Sequence, residues 1–248
     1  MLGLPDDIRA FLFDLDGVLT QTALVHAAAW KDTFDTFLRA EAARTGGQFV
    51  PFDAVTDYDT YVDGRPRLDG TRAFLRSRGL DLPEGTDDDP PNAPTVHGIS
   101  LAKNHTVLRM IREQGVQPYD GSVAYVRRLR ALGLPSAVVS SSANCRDVLR
   151  AAGIEDLFDV VVDGIVAKRE GLPGKPAPDT YLHAAKVLGV EPAHAAVFED
   201  ALAGVASGRA GGFGAVVGVN RTGQAAELRR DGATVVVDDL AELLGEQG

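Results

Sequence analysis

The chain has 248 residues, of which 45% are hydrophobic and 24% charged, with a formal net charge of −10. This fits one or two soluble globular domains, excludes a disordered polymer, and argues against nucleic acid as a partner, since that affinity rests on neutralising phosphates. The single Cys145 cannot pair within the chain, no apolar run approaches a membrane span, and the acidic start at Asp6 and Asp7 does not read as a signal peptide, so a cytoplasmic protein without membrane partners is expected.

The first predicted element is a buried strand, Arg9-Ala10-Phe11-Leu12-Phe13, which runs directly into Asp14-Leu15-Asp16-Gly17. A helix follows over about 22–43, where Leu24, Ala27, Ala28, Phe34, Phe37 and Leu38 recur at helical spacing until Gly46-Gly47. Residues 52–80 read as helix in pieces, broken at Gly64-Arg65-Pro66, with Asp69 as N-cap of the later piece. The acidic, proline-rich stretch 83–94 must be loop, and a further helix covers about 99–114 up to Gly115. No strand is predicted between Thr20 and Pro118, so residues 22–115 form a helical domain inserted into a core of residues 1–21 and 116–248.

From Pro118 short apolar runs alternate with helices. Strands are expected at 136–139, 160–162, 195–198, 215–217 and 235–237, with helices at 122–131, 146–152, 178–188 and 202–210 and one more before the last strand. Continuous rather than alternating apolar strands, separated by helices, describe an α/β fold: a doubly wound parallel sheet covered on both faces.

Polar residues follow each strand, at the edge where open α/β sheets hold ligands. Asp14 and Asp16 either start a turn or share a cation, one carboxylate attacking phosphorus while the other moves a proton. Ser140-Ser141-Ser142 and Asn144 either cap a helix or bind an anion. In Gly174-Lys175-Pro176-Ala177-Pro178 two prolines fix the chain behind a lysine, presenting an ammonium to balance the acids and a phosphoryl group. Glu199 and Asp200 either cap the next helix or complete an oxygen-rich Mg²⁺ site.

Together, in this order, these segments resemble the four motifs of the haloacid dehalogenase superfamily, over nearly the whole chain. The resemblance implies a Rossmann-like core with a helical cap. It implies Asp14 as the nucleophile that becomes an aspartyl phosphate and Asp16 as general acid/base. Ser140 and Lys175 would hold the phosphoryl group, and Asp14, Glu199, Asp200 and the backbone carbonyl of Asp16 would bind Mg²⁺. The insertion resembles the small cap of the β-phosphoglucomutase branch, which implies that His26 orients Asp16, Trp30 lines the sugar pocket, Arg67 grips a distal phosphate, and Lys103 and Asn144 bind substrate.

The expected activity is therefore the interconversion of β-glucose 1-phosphate and glucose 6-phosphate by a monomer. The alternatives are a phosphatase of a sugar phosphate, which needs only one anion site, and an inactive binding module. Two departures from the branch are the loop 83–94 and Gly171-Leu172-Pro173 ahead of Gly174.

Overall fold

In the computed structural model, which describes residues 2–245, the chain forms two compact units, one from Met1–Gln21 and Val116–Gly248 and the other from Thr22–Gly115. The first is built on a six-stranded, wholly parallel sheet of β1 (Ala10–Phe13), β2 (Ser136–Val139), β3 (Val160–Val162), β4 (Ala195–Glu199), β5 (Ala215–Val219) and β6 (Val235–Val237), in the order β3-β2-β1-β4-β5-β6. The order reverses at β1, which has β2 on one side and β4 on the other. That switch point is where a doubly wound sheet opens a ligand crevice beyond its carboxyl edge.

Strand alternation decides what faces what. Ala10 and Leu12 join Val139, Val197, Tyr181, Ala184 and Val205 in one core. Phe11 and Phe13 project to the other face, where Phe13 stacks on Phe198 at 4.4 Å and meets Tyr125 edge-on at 6.3 Å. Phe13 pairs in register with Phe198 of β4 and Val138 of β2, so Asp14 and Glu199 arrive side by side at the same edge, with Ser140 one residue further along β2.

In this unit α4 (Asp120–Ala131), α5 (Cys145–Ala151), α6 (Gly164–Glu170), α7 (Asp179–Leu188), α8 (Leu202–Ala210) and α9 (Ala225–Asp231) connect the strands. Helix α6 lies where the sequence pattern predicts no helix. It is a single seven-residue segment, N-capped by Asp163, whose Oδ1 accepts from the Ile165 and Val166 N–H groups. Seven residues are too few to display a helical apolar period, and its local signals are the Asp163 cap and the left-handed Gly171 that ends it.

The inserted unit consists of α1 (Ala23–Thr45), a π-helical turn (Tyr58–Val62), α2 (Arg67–Ser77) and α3 (Val96–Gln114) around its own core of Trp30, Phe34, Leu38, Phe52, Tyr58, Val62, Phe74, Leu75 and Ile99. Phe34 lies 4.1 Å from Phe74 and 4.8 Å from Trp30, measured between ring centres. Asp69 is not an N-cap: α2 begins at Arg67 after Pro66, placing Asp69 in its first turn, where a carboxylate still favours the helix dipole. The loop 83–94 is tied back to α3 by Val96 N–H to Pro83 O and Asn92 N–H to Gly98 O. No helix among the described residues is long and apolar enough to cross a membrane.

Candidate active site

The site of the sheet unit is assembled from the loops after β1, β2 and β4 and the segment before α7. Asp14 follows β1, and its backbone N–H donates to Phe198 O at 2.9 Å. Lys175, 3% exposed, enters from the proline-flanked segment ahead of α7, with its peptide to Pro176 cis. Its Nζ donates to Asp14 Oδ1 at 2.5 Å and Val139 O at 3.0 Å, and pairs with Glu199 Oε1 at 2.6 Å. One buried ammonium thus serves two buried carboxylates, leaving an excess of negative charge.

That imbalance appears in the titration of each group. Burial raises the Asp14 carboxyl; Lys175 pulls it down and Asp16 pushes it up, leaving it above the usual range. Burial likewise raises Glu199, to about 7, against the pull of Lys175. Burial opposes the charge of Lys175, but Asp14 and Glu199 outweigh it and hold its pKa above normal. Oxygens of Asp14, Glu199 and Asp200 lie within 4.8 Å of one another. Three convergent hard oxygen donors around uncompensated charge fit a divalent cation of the Mg²⁺ kind. The side chain of Asp16 lies outside this three-carboxylate group.

Two of the helix-capping alternatives fail on geometry. Asp200 does not cap α8, whose N-cap position is Ala201, without a side-chain cap bond. Asn144 stands at the N-cap of α5 but makes no side-chain cap bond there. The Ser140 Oγ accepts from the Ser142 N–H at 3.1 Å, which orients the hydroxyl while leaving its proton to donate. Two glycines make the site possible. A Cβ at Gly17, whose φ is +83°, would overlap the Asp200 carboxylate, and one at Gly204 would overlap that of Glu199.

Tyr181 belongs to this group and went unseen in the sequence. Its hydroxyl donates to Glu199 Oε1 at 2.7 Å, and its ring lies 4.9 Å from the Lys175 Nζ. The available signal was its place one turn into the helix that Lys175 precedes.

The inserted unit carries a second, cationic group. Lys103, 5% exposed, places Nζ 2.9 Å from His26 Nδ1 and 4.8 Å from the Trp30 ring centre. A charged Lys103 donates to Nδ1, so the imidazole is neutral with its proton on Nε2. Burial, then Lys103 and Arg67, hold the His26 pKa well below its ordinary value. The Nε of Arg67 is buried without a hydrogen-bond partner among the described residues. His26, Trp30, Lys103 and Arg67 therefore form one cluster on α1, α2 and α3.

A doubly wound sheet with paired aspartates after β1, a buried lysine between two acids and an acidic pair at the end of β4 defines a class of phosphoryl-transfer fold. The sequence matches the haloacid dehalogenase-like hydrolase family over residues 8–212, and the chain belongs to that family. It is 56% identical to the β-phosphoglucomutase of Mycobacterium bovis across 98% of this chain and 94% of that protein. It also resembles the crystal structure of β-phosphoglucomutase from Clostridium difficile, with a TM-score of 0.72 and 26% identity over 95% of this chain and 93% of that one. The structure of CbbY from Rhodobacter sphaeroides in complex with phosphate superimposes with a TM-score of 0.69 and 25% identity over 95% and 96% of the two chains.

Proposed function

We propose that this protein is a β-phosphoglucomutase, transferring phosphoryl groups through Asp14 to interconvert β-glucose 1-phosphate and glucose 6-phosphate. The observation that carries the chemistry is the Lys175 bridge between Asp14 and Glu199 at 2.5 and 2.6 Å, next to Asp200. The identity of 56% to a β-phosphoglucomutase over nearly its full length supports the choice of reaction.

A carboxylate oxygen of Asp14 attacks phosphorus, the P–O bond to the sugar breaks, and an aspartyl phosphate forms. Asp16 gives its proton to the departing sugar oxygen and later takes one from the hydroxyl that attacks the aspartyl phosphate. Lys175 and the Ser140 hydroxyl hold the transferring phosphoryl oxygens. Asp14, Glu199, Asp200 and the Asp16 carbonyl would hold Mg²⁺, which supplies charge neutralisation to a dianionic phosphate approaching an anionic nucleophile. Asn144 contributes to substrate binding from the loop after β2.

A mutase must bind a bisphosphate, so it needs a second anion site. The cluster of Lys103, His26 and Arg67 offers one, with a guanidinium suited to a bidentate contact and Trp30 beside Lys103 to line a sugar pocket. Incubation with β-glucose 1-phosphate, Mg²⁺ and a trace of the 1,6-bisphosphate tests the reading. Glucose 6-phosphate without free phosphate is expected; stoichiometric phosphate release would make the protein a sugar-phosphate phosphatase.

A further inference from the structure

The loops after β1 and β4 come from distant parts of the chain, yet the site works only if they keep their mutual position. Their approach is tight enough that no side chain fits on Gly17 beside Asp200. Besides Lys175, a third loop reaches both of them: the one between β5 and α9, which carries none of the motifs. From it the Arg221 Nε donates to Gly17 O at 2.7 Å, and the Gln224 Nε2 donates to Asp200 O at 3.1 Å. One five-residue loop, Asn220 to Gln224, thus holds a backbone carbonyl on each side of the catalytic group.

We propose that Arg221 and Gln224 are positioning residues that set the register between the nucleophile loop and the acidic loop; the proposal rests on the phosphoryl-transfer reading above. The loop itself is anchored. Arg221 Nη1 donates to Asp238 O at 2.8 Å, and its guanidinium lies 3.6 Å from the Tyr119 ring centre. Asn220 donates through Nδ2 to Asp238 Oδ1 at 2.7 Å and through its backbone N–H to Val237 O at 2.8 Å. A planar guanidinium can stack on the tyrosine and bond two carbonyls in its own plane, which an ammonium cannot reproduce. Tyr119 is in turn bonded from its backbone N–H to Leu19 O at 2.9 Å, at the end of the same β1 loop. Arg221 therefore grips that loop at Gly17 directly and stacks on the residue that closes it.

The test uses the full chain with three substitutions, Arg221→Ala, Arg221→Lys and Gln224→Leu, read by three measurements. These are Mg²⁺ affinity by calorimetry without substrate, kcat and KM on β-glucose 1-phosphate, and melting temperature. A displacement of catalytic groups by about 1 Å costs on the order of 10² in rate, so Arg221→Ala and Gln224→Leu are expected to lower kcat roughly 10- to 100-fold while KM stays within about threefold. Residues that orient metal ligands shift metal affinity by about 10- to 100-fold, so Mg²⁺ binding should weaken by about tenfold in both. Arg221→Lys, which keeps a donor but loses the stack, should fall between the parent and Arg221→Ala.

A drop in melting temperature alone, with kcat and Mg²⁺ affinity both unchanged, would overturn the proposal and leave Arg221 and Gln224 as ordinary structural residues. Should Arg221→Ala fail to fold, Gln224→Leu decides the matter by the same two readouts. If the parent enzyme has no turnover on sugar phosphates, the Mg²⁺ measurement still answers. Weakened binding in the variants would then keep the clamp and discard the reaction, and unchanged binding would discard the clamp.

Discussion

Two aspartates one residue apart are asked to do different work, and their surroundings separate them. Asp14 is buried against Lys175, whereas Asp16 lies outside the group of three convergent carboxylates. Asp16→Asn is expected to fold normally and lose about 10²–10⁴ in kcat, the usual share of general acid/base catalysis, as steady-state assays will show. Asp14→Asn should abolish hydroxylamine-sensitive phosphate labelling of the protein by the 1,6-bisphosphate; labelling that persists would move the nucleophile elsewhere. Gly204 offers a test that touches no reacting group. Its missing Cβ makes room for the Glu199 carboxylate, so Gly204→Ala forces Glu199 off Lys175. Overpacking of this kind costs about 1–3 kcal/mol, which urea titration will register, and Mg²⁺ affinity should fall with it.

At the scale of elements, α1 and α3 are joined at His26 and Lys103, and that contact makes the inserted unit sensitive to acid. The His26 pKa is depressed by burial and by two cations, so the unfolded chain takes up a proton that the folded one refuses. The stabilisation is fully present above the unfolded value near 6.5 and is lost progressively as pH falls below it. Stability should therefore fall as pH drops from 7.5 to 5.5, and His26→Gln should flatten that dependence in urea unfolding at several pH values. Most elements were legible in the sequence because short β-branched runs and glycine stops announce themselves, and the motifs stood at their ends. Others carried no such signal. Helix α6 is too short to show a period, and Pro66 set the start of α2 earlier than the acidic side chain suggested. Arg221 and Gln224 were invisible for a different reason: each acts on a backbone carbonyl far away in sequence, and a carbonyl leaves no trace in residue type.

For the whole molecule, the dominant electrostatic fact is a buried site with more carboxylates than cations. A divalent ion that binds only the folded state stabilises it by about 2.7 kcal/mol at a hundredfold excess over its Kd. Mg²⁺ should therefore raise the melting temperature, and chelation should reverse the rise. Because burial pushes Glu199 up to about 7, a metal held there would expel a proton and bind more tightly as that group ionises. The rise should be larger at pH 8 than at pH 6, and substitution of Asp200 by Asn should reduce it at both.

The chain leaves the sheet unit and returns to it at nearly one point. Gln21 N–H donates to Gln117 O at 2.9 Å, and Thr20 bridges to Pro118 in antiparallel fashion. The two ends of the insertion are thus held together by bonds that belong to the sheet unit itself. An equivalent helical module grafted from a paralogue between those same two glutamines should yield a folded chimera, with the phosphorylation chemistry inherited from one parent and the choice of sugar from the other.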